Sequence, residues 1–233
     1  MSAETLQTEE KHAKKQRLIY VIEILLAATI FAVTSVGLSL LDFNFAANIA
    51  VVITILGIWA MRHRQGGSWT DFGLKRPQHG IRFVLLVLAA VATTAILVMV
   101  IMPLLYRLTG PLESSGDTSL YQSPLSFVSY LLLIAWGAAA LGEELLFRGF
   151  LLNHVAHLFG RSKIGWAVAL LFQAVLFGLA HYKHGLAAIT LTGLIGLSFG
   201  VFYLLAGRNL WCVIVAHGII DTISLTQDYL GGH

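Results

Sequence analysis

The chain has 233 residues, of which 57% are hydrophobic and 12% charged, and its formal net charge is +3. Soluble domains carry about 25% charged residues, and with a mean hydropathy of +0.79 this composition excludes an ordinary water-soluble fold. The basic residues lie beside apolar runs, so they report on membrane topology and not on nucleic acid, and the single cysteine, Cys212, excludes an internal disulfide.

Residues 1–17 are polar and of mixed charge, and read as a cytoplasmic N-terminus. The apolar run Leu18–Leu41 is too long for a signal-peptide core and has no small-residue cleavage site after it, so it reads as an anchoring span. A turn at Asp42–Asn44 leads to a second span, Phe45–Met61. The loop over 62–80 is polar and basic, with Arg62, Arg64, Lys75 and Arg76. A long third span, Ile81–Leu108, contains Pro103, which should kink it or mark its end. The loop Thr109–Ser123 carries Glu113 and Asp117 and no basic residue, so positive-inside logic places it outside and the basic segments in the cytoplasm.

From Leu125 to Phe159 the chain is apolar again. One helix of that length, at about 1.5 Å per residue, would measure roughly 50 Å against a bilayer core of about 30 Å. It must project from the membrane or break near Gly142. Three more spans follow, Ile164–Ala180, Leu186–Leu205 and Leu210–Leu225, with 227–233 as a tail. The expected fold is an all-α polytopic transmembrane bundle of seven or eight helices. Residues 18–122 form an N-terminal membrane region and 123–226 a core. The runs are continuous, which argues against a β-barrel.

The core carries three polar signatures. Glu143 and Glu144 stand side by side in WGAAALGEELLFRGFLL, with Arg148 one turn later. A carboxylate at the centre of a span costs about 2.5–3.5 kcal/mol on insertion scales. Glu144 and Arg148 share a helix face and can pair, while Glu143 is rotated by about 100° and remains available as a base. His181 follows Phe177 at the end of the next run, and His217 and Asp221 are spaced i,i+4 in the last. Such a set, converging in a lipid-shielded cavity, suits attack of water on a carbonyl: a carboxylate takes the proton, and donors or a metal stabilise the oxyanion.

These motifs, EExxxR, FxxxH and Hxxx(D/N) in order on successive helices, resemble the CPBP intramembrane proteases, the CAAX-prenyl-protease and bacteriocin-processing family also called Abi. GEELLFRGFL (142–151), LFGLAHY (176–182) and VAHGIIDT (215–222) carry the resemblance, and TDFGL (70–74) is similar to a segment that often precedes the core. The resemblance implies an intramembrane endopeptidase acting on membrane-associated, in some relatives lipidated, peptides or proteins. It implies Glu143 as the general base, His181 as its partner, and His217 and Asp221 at the remaining site positions, with Glu144–Arg148 as a supporting ion pair. An ionised Asp221 cannot donate to an oxyanion, so it orients His217 or binds a metal. A divalent metal such as Zn²⁺, held by Glu143, His181, His217 and Asp221, and a metal-free glutamate mechanism both stay open; four N/O ligands suit zinc, but there is no HExxH.

Other readings compete. The same cluster could serve a non-catalytic membrane scaffold or immunity protein, or a transporter or proton relay, although no inverted repeat is visible. Glu23, His154 and His157 read as interface or polar-face residues. Gly196–Gly200 fits GxSxG, but in a helical run Ser198 lacks the strand-to-helix elbow that motif needs. The expected partners are the lipid bilayer and a peptide or protein substrate. The expected location is a prokaryotic plasma membrane with a cytoplasmic N-terminus.

Overall fold

Lipid offers no hydrogen-bond partners, so an apolar chain must satisfy its own backbone, and a helix does so within one segment. The computed structural model describes residues 3–77, 80–110 and 118–231, and among these every regular element is helical. Seven helices run in alternating directions: α1 (Ala3–Ser39), α2 (Ala46–Arg64), α3 (Gly80–Thr109), α4 (Pro124–Leu158), α5 (Lys163–Leu179), α6 (Leu186–Leu205) and α7 (Trp211–Gly231). Five of them, α1 to α4 and α6, are long and apolar enough to cross a membrane, and α5 is a shorter apolar helix. The acidic residues Glu113 and Asp117 fall outside the described residues.

Both chain ends carry more helix than the apolar runs suggest. Helix α1 begins at Ala3, within the polar N-terminus, where Lys14 pairs with Glu10 one turn away at 2.8 Å. Helix α7 continues through Gly231, into the stretch expected to be a tail.

Neither Pro103 nor Gly142 interrupts its helix, so the run from Leu125 takes the first of its two alternatives, one long helix. Pro103 neither ends α3 nor leaves its backbone in conflict. The turn before it, Leu97–Ile101, is π-wound, and a proline ring clashes with the carbonyl four residues earlier, here inside that turn. Helix α4 also runs unbroken through Gly142, with π winding over Leu131–Glu143 and Leu145–Leu152. Gly142 serves as a contact and not a hinge, since a Cβ there would lie 2.8 Å from Val51 on α2.

The core gathers around the C-terminal half of α4. Leu145 to Leu152 are all buried, an eight-residue run with no lipid-facing side. Helices α5 and α6 approach through Gly178, where a Cβ would stand 2.4 Å from the Ile189 carbonyl, the small-residue packing expected where lipid gives no hydrophobic drive. A strap formed by TDFGL closes over this half. Trp69 stacks on Trp59 of α2 at 4.1 Å, and the Leu210 N–H donates to the Gly73 carbonyl at 2.9 Å.

Candidate active site

Helix α4 delivers Glu143, Glu144 and Arg148 to the interior, and α7 brings His217 and Asp221 against them. Arg148 and Glu144 are fully buried, with Arg148 Nη1 donating to Glu144 Oε1 at 2.9 Å. The same oxygen accepts from His217 Nδ1 at 3.0 Å. Arg148 Nη2 donates to the Gly196 carbonyl of α6 at 3.0 Å. The guanidinium also lies over the Phe177 ring at 4.5 Å and the Phe199 ring at 5.5 Å. One ion pair therefore ties four helices together in a dry core, and its geometry is that expected from the i,i+4 spacing.

A carboxylate only accepts, so His217 Nδ1 carries a proton. Its other nitrogen, Nε2, faces Asp221 Oδ2 at 3.5 Å. The imidazole thus stands between two carboxylates, with each ring nitrogen facing an acceptor. Its side chain is 12% exposed and that of Asp221 28%, so both are partly accessible. Nearby, Trp136 Nε1 donates to Thr222 at 3.0 Å, and its ring lies on Gly218, where a Cβ would collide at 2.7 Å.

Glu143 is half-buried and makes no hydrogen bond among the described residues. It lies within electrostatic reach of His217, Asp221, Glu144 and Arg148. His181 stands just past the end of α5, and its Nδ1 donates to the Phe177 carbonyl at 2.9 Å. That bond leaves Nε2 as the free acceptor of a neutral ring. Burial lowers the affinity of this ring for a second proton, and the nearby His184, His217 and Arg148 act in the same direction.

Helix direction relates His181 to Glu143. Phe147 and Phe177 meet edge to face at 5.0 Å. Helices α4 and α5 are antiparallel, joined through the short turn 159–162. One turn back from Phe147 is Glu143, and one turn on from Phe177 is His181. Both steps lead towards the same end of the bundle.

Among the described residues, no three of His, Cys, Asp and Glu cluster as a metal site, and His217 Nδ1 is already taken by Glu144.

Gln173 was not singled out in the sequence and belongs here. It is fully buried, and its Nε2 donates to the Gly196 carbonyl at 2.9 Å, beside Arg148. Gln173, Phe177 and His181 are spaced four apart on one face, a signal that was available. Ser198 lies within helix α6 and donates to the Ile195 carbonyl of its own helix at 3.1 Å. Glu23 and His154 pair at 2.9 Å, with Gln65 donating to Glu23 at 2.8 Å. They form a second polar knot between α1, α2 and α4.

Fold and site together define the class: a polytopic helical membrane protein with a carboxylate–histidine cluster inside its bundle. Residues 125–223 match the family model described as Rce1-like, "Type II CAAX prenyl endopeptidase Rce1-like". Over these residues the chain is similar to the CPBP, or CAAX protease, family. The match spans α4 to α7 and leaves α1 to α3 outside it. No curated protein and no solved structure matches the chain.

Proposed function

We propose that this protein is an intramembrane endopeptidase that hydrolyses peptide bonds of membrane-associated peptides or proteins. Two observations support this reading: Glu143 makes no hydrogen bond among the described residues, and His181 Nδ1 donates to the Phe177 carbonyl, which leaves its Nε2 as an acceptor. A water between them gives one proton to Glu143 and directs the other to His181 Nε2. Its oxygen attacks the scissile carbonyl carbon. The carbonyl oxygen becomes an oxyanion, which the Nε2–H of His217 stabilises. As the C–N bond breaks, Glu143 passes its proton to the leaving amine. Glu144 and Arg148 touch no reacting atom; they position His217.

The orientation proposed places the N-terminus in the cytoplasm of a prokaryotic cell. Helix directions bring Arg62, Arg64, Arg82, Arg161, Lys163 and Arg208 to one end of the bundle, whereas Arg107 and Lys183 lie towards the other.

The test is Glu143→Gln, purified in detergent and reconstituted with a lipidated peptide library. Cleavage should disappear while the melting temperature holds. Cleavage at the wild-type rate would remove Glu143 as the base and this reading with it.

A further inference from the structure

At the basic end of the bundle, away from Glu143 and His217, lies a hollow of about 490 Å³. Lys75, Arg76 and Arg82 line it on the polar side, and Phe83, Leu86 and Leu204 on the apolar side. No carboxylate is among its lining residues. Three cations therefore converge on one space without a counter-charge in its wall, an arrangement that attracts an anion.

The backbone that carries two of these cations is held in place, and the third is tied by its side chain. Lys75 and Arg76 sit on the strap, which the Leu210 N–H fixes at the Gly73 carbonyl. The Asn209 side chain fixes it again by donating to the Lys75 carbonyl at 3.0 Å. Gly149 of α4 lets the strap approach, since a Cβ there would be 2.9 Å from the Phe72 carbonyl. Arg82, in the first turn of α3, donates to the Leu205 carbonyl at the end of α6 at 3.0 Å. The guanidinium thus bridges two helix ends at the mouth of the hollow.

The apolar wall decides between a free anion and an amphiphile. Phe83 and Leu86 continue into the flank of α3, where Val84, Leu85 and Leu88 are exposed as a lipid-facing surface. We propose that this hollow binds the phosphate headgroup of an anionic glycerophospholipid, whose acyl chain lies along α3 and α6. Basic pockets between membrane helices on the cytoplasmic side suit such headgroups. The site is separate from the proteolytic reading and stands or falls without it.

The full-length protein is reconstituted in phosphatidylcholine vesicles with and without phosphatidylglycerol, extracted in mild detergent, and its retained lipid measured by native mass spectrometry. Wild type should retain phosphatidylglycerol in preference to phosphatidylcholine. Lys75→Gln/Arg76→Gln should weaken retention about twenty-five-fold, at about fivefold for each cation. The charge-matched double variant Arg64→Gln/Lys163→Gln, outside the hollow, should retain it as wild type does. If the double variant at 75 and 76 fails to fold, the single Arg76→Gln, at an exposed strap position, carries the test. Equal retention of both lipids, or equal loss in both double variants, overturns the proposal. Displacement of phosphatidylglycerol by millimolar inorganic phosphate would also overturn it, because the site would then serve a free anion.

Discussion

Glu144 Oε1 and His217 Nδ1 meet at 3.0 Å across 73 residues of sequence, on the oxygen that also holds Arg148. The carboxylate is shared between a structural cation and a site imidazole, so it sets both stability and the orientation of His217. Glu144→Ala leaves Arg148 charged and unpaired in a dry core. Breaking such a pair costs about 3–5 kcal/mol. Glu144→Gln keeps the shape and one acceptor but loses the charge, so it should fold better than the alanine variant yet lose turnover. Denaturant melts and peptide cleavage on the two variants check this; a stable, fully active Glu144→Ala would refute the shared role.

The i,i+4 pair of Glu144 and Arg148 was legible because helix spacing is local. Its link to His217 was not, since nothing in the chain fixes which residues of two distant helices share a level. The π winding of α4 was equally hidden. It runs through a 35-residue helix that stays continuous past Gly142, one of the two alternatives its length allowed. Pro103 shows the same limit: its ring predicts a conflict, and a π turn one residue earlier absorbs it. The helical bundle itself was readable, because lipid allows few alternatives to helix. The start of α1 at Ala3 was missed because a charged stretch can be helical in water on i,i+4 pairs such as Glu10–Lys14.

His181 should make stability pH-dependent. Burial lowers its proton affinity in the folded state. The unfolded chain takes up this proton near pH 6.5, and the folded chain does so only at lower pH. Between those values the unfolded state binds more protons, so stability falls as acid is added and is fully present above about pH 6.5. Thermal melts at about pH 7.5 and about pH 5 should show a larger drop for wild type than for His181→Gln. The acid limb of the cleavage profile should likewise lie below the ordinary histidine range. Identical drops in the two proteins would mean that His181 is not the responsible group.

Chelation separates the two mechanisms the motifs allow. The described histidines and carboxylates do not assemble as a ligand cluster, and His217 Nδ1 is engaged by Glu144. Prolonged treatment with 1,10-phenanthroline or EDTA should therefore leave cleavage unchanged. Elemental analysis of the purified protein should find no stoichiometric zinc. Loss of activity restored by added zinc would show that Glu143, His181, His217 and Asp221 rearrange around a metal.

The approach of α5 to α6 rests on one glycine more than on its neighbour. At Gly178 a methyl group would stand 2.4 Å from the Ile189 carbonyl, a backbone atom with no freedom to move aside. At Gly193 the nearest atom, the Ala174 carbonyl, is 3.4 Å away. Gly178→Ala should destabilise the protein by about 1–3 kcal/mol and, by moving α5, displace His181 and reduce cleavage. Gly193→Ala should change little. Comparing the two melts tests the helix contact, and equal effects would contradict it.

Asp221 is the position where charge and hydrogen-bond direction can be separated. Its Oδ2 faces His217 Nε2 at 3.5 Å, and it adds a second acceptor to an imidazole already bonded to Glu144. As a carboxylate it cannot stabilise an oxyanion, so its contribution must pass through His217. Asp221→Asn keeps the size and an acceptor oxygen, removes the charge that faces the ring, and adds an amide donor. The new donor offsets the lost charge, so cleavage should stay within about tenfold of wild type. Asp221→Leu removes charge and hydrogen bonding together and should cost about 10²–10³ in kcat, the scale of a lost oxyanion donor, with KM nearly unchanged. Rates for both variants at saturating peptide decide the matter. If Asn is as inactive as Leu, the negative charge itself is essential; if Leu is fully active, His217 is oriented by Glu144 alone.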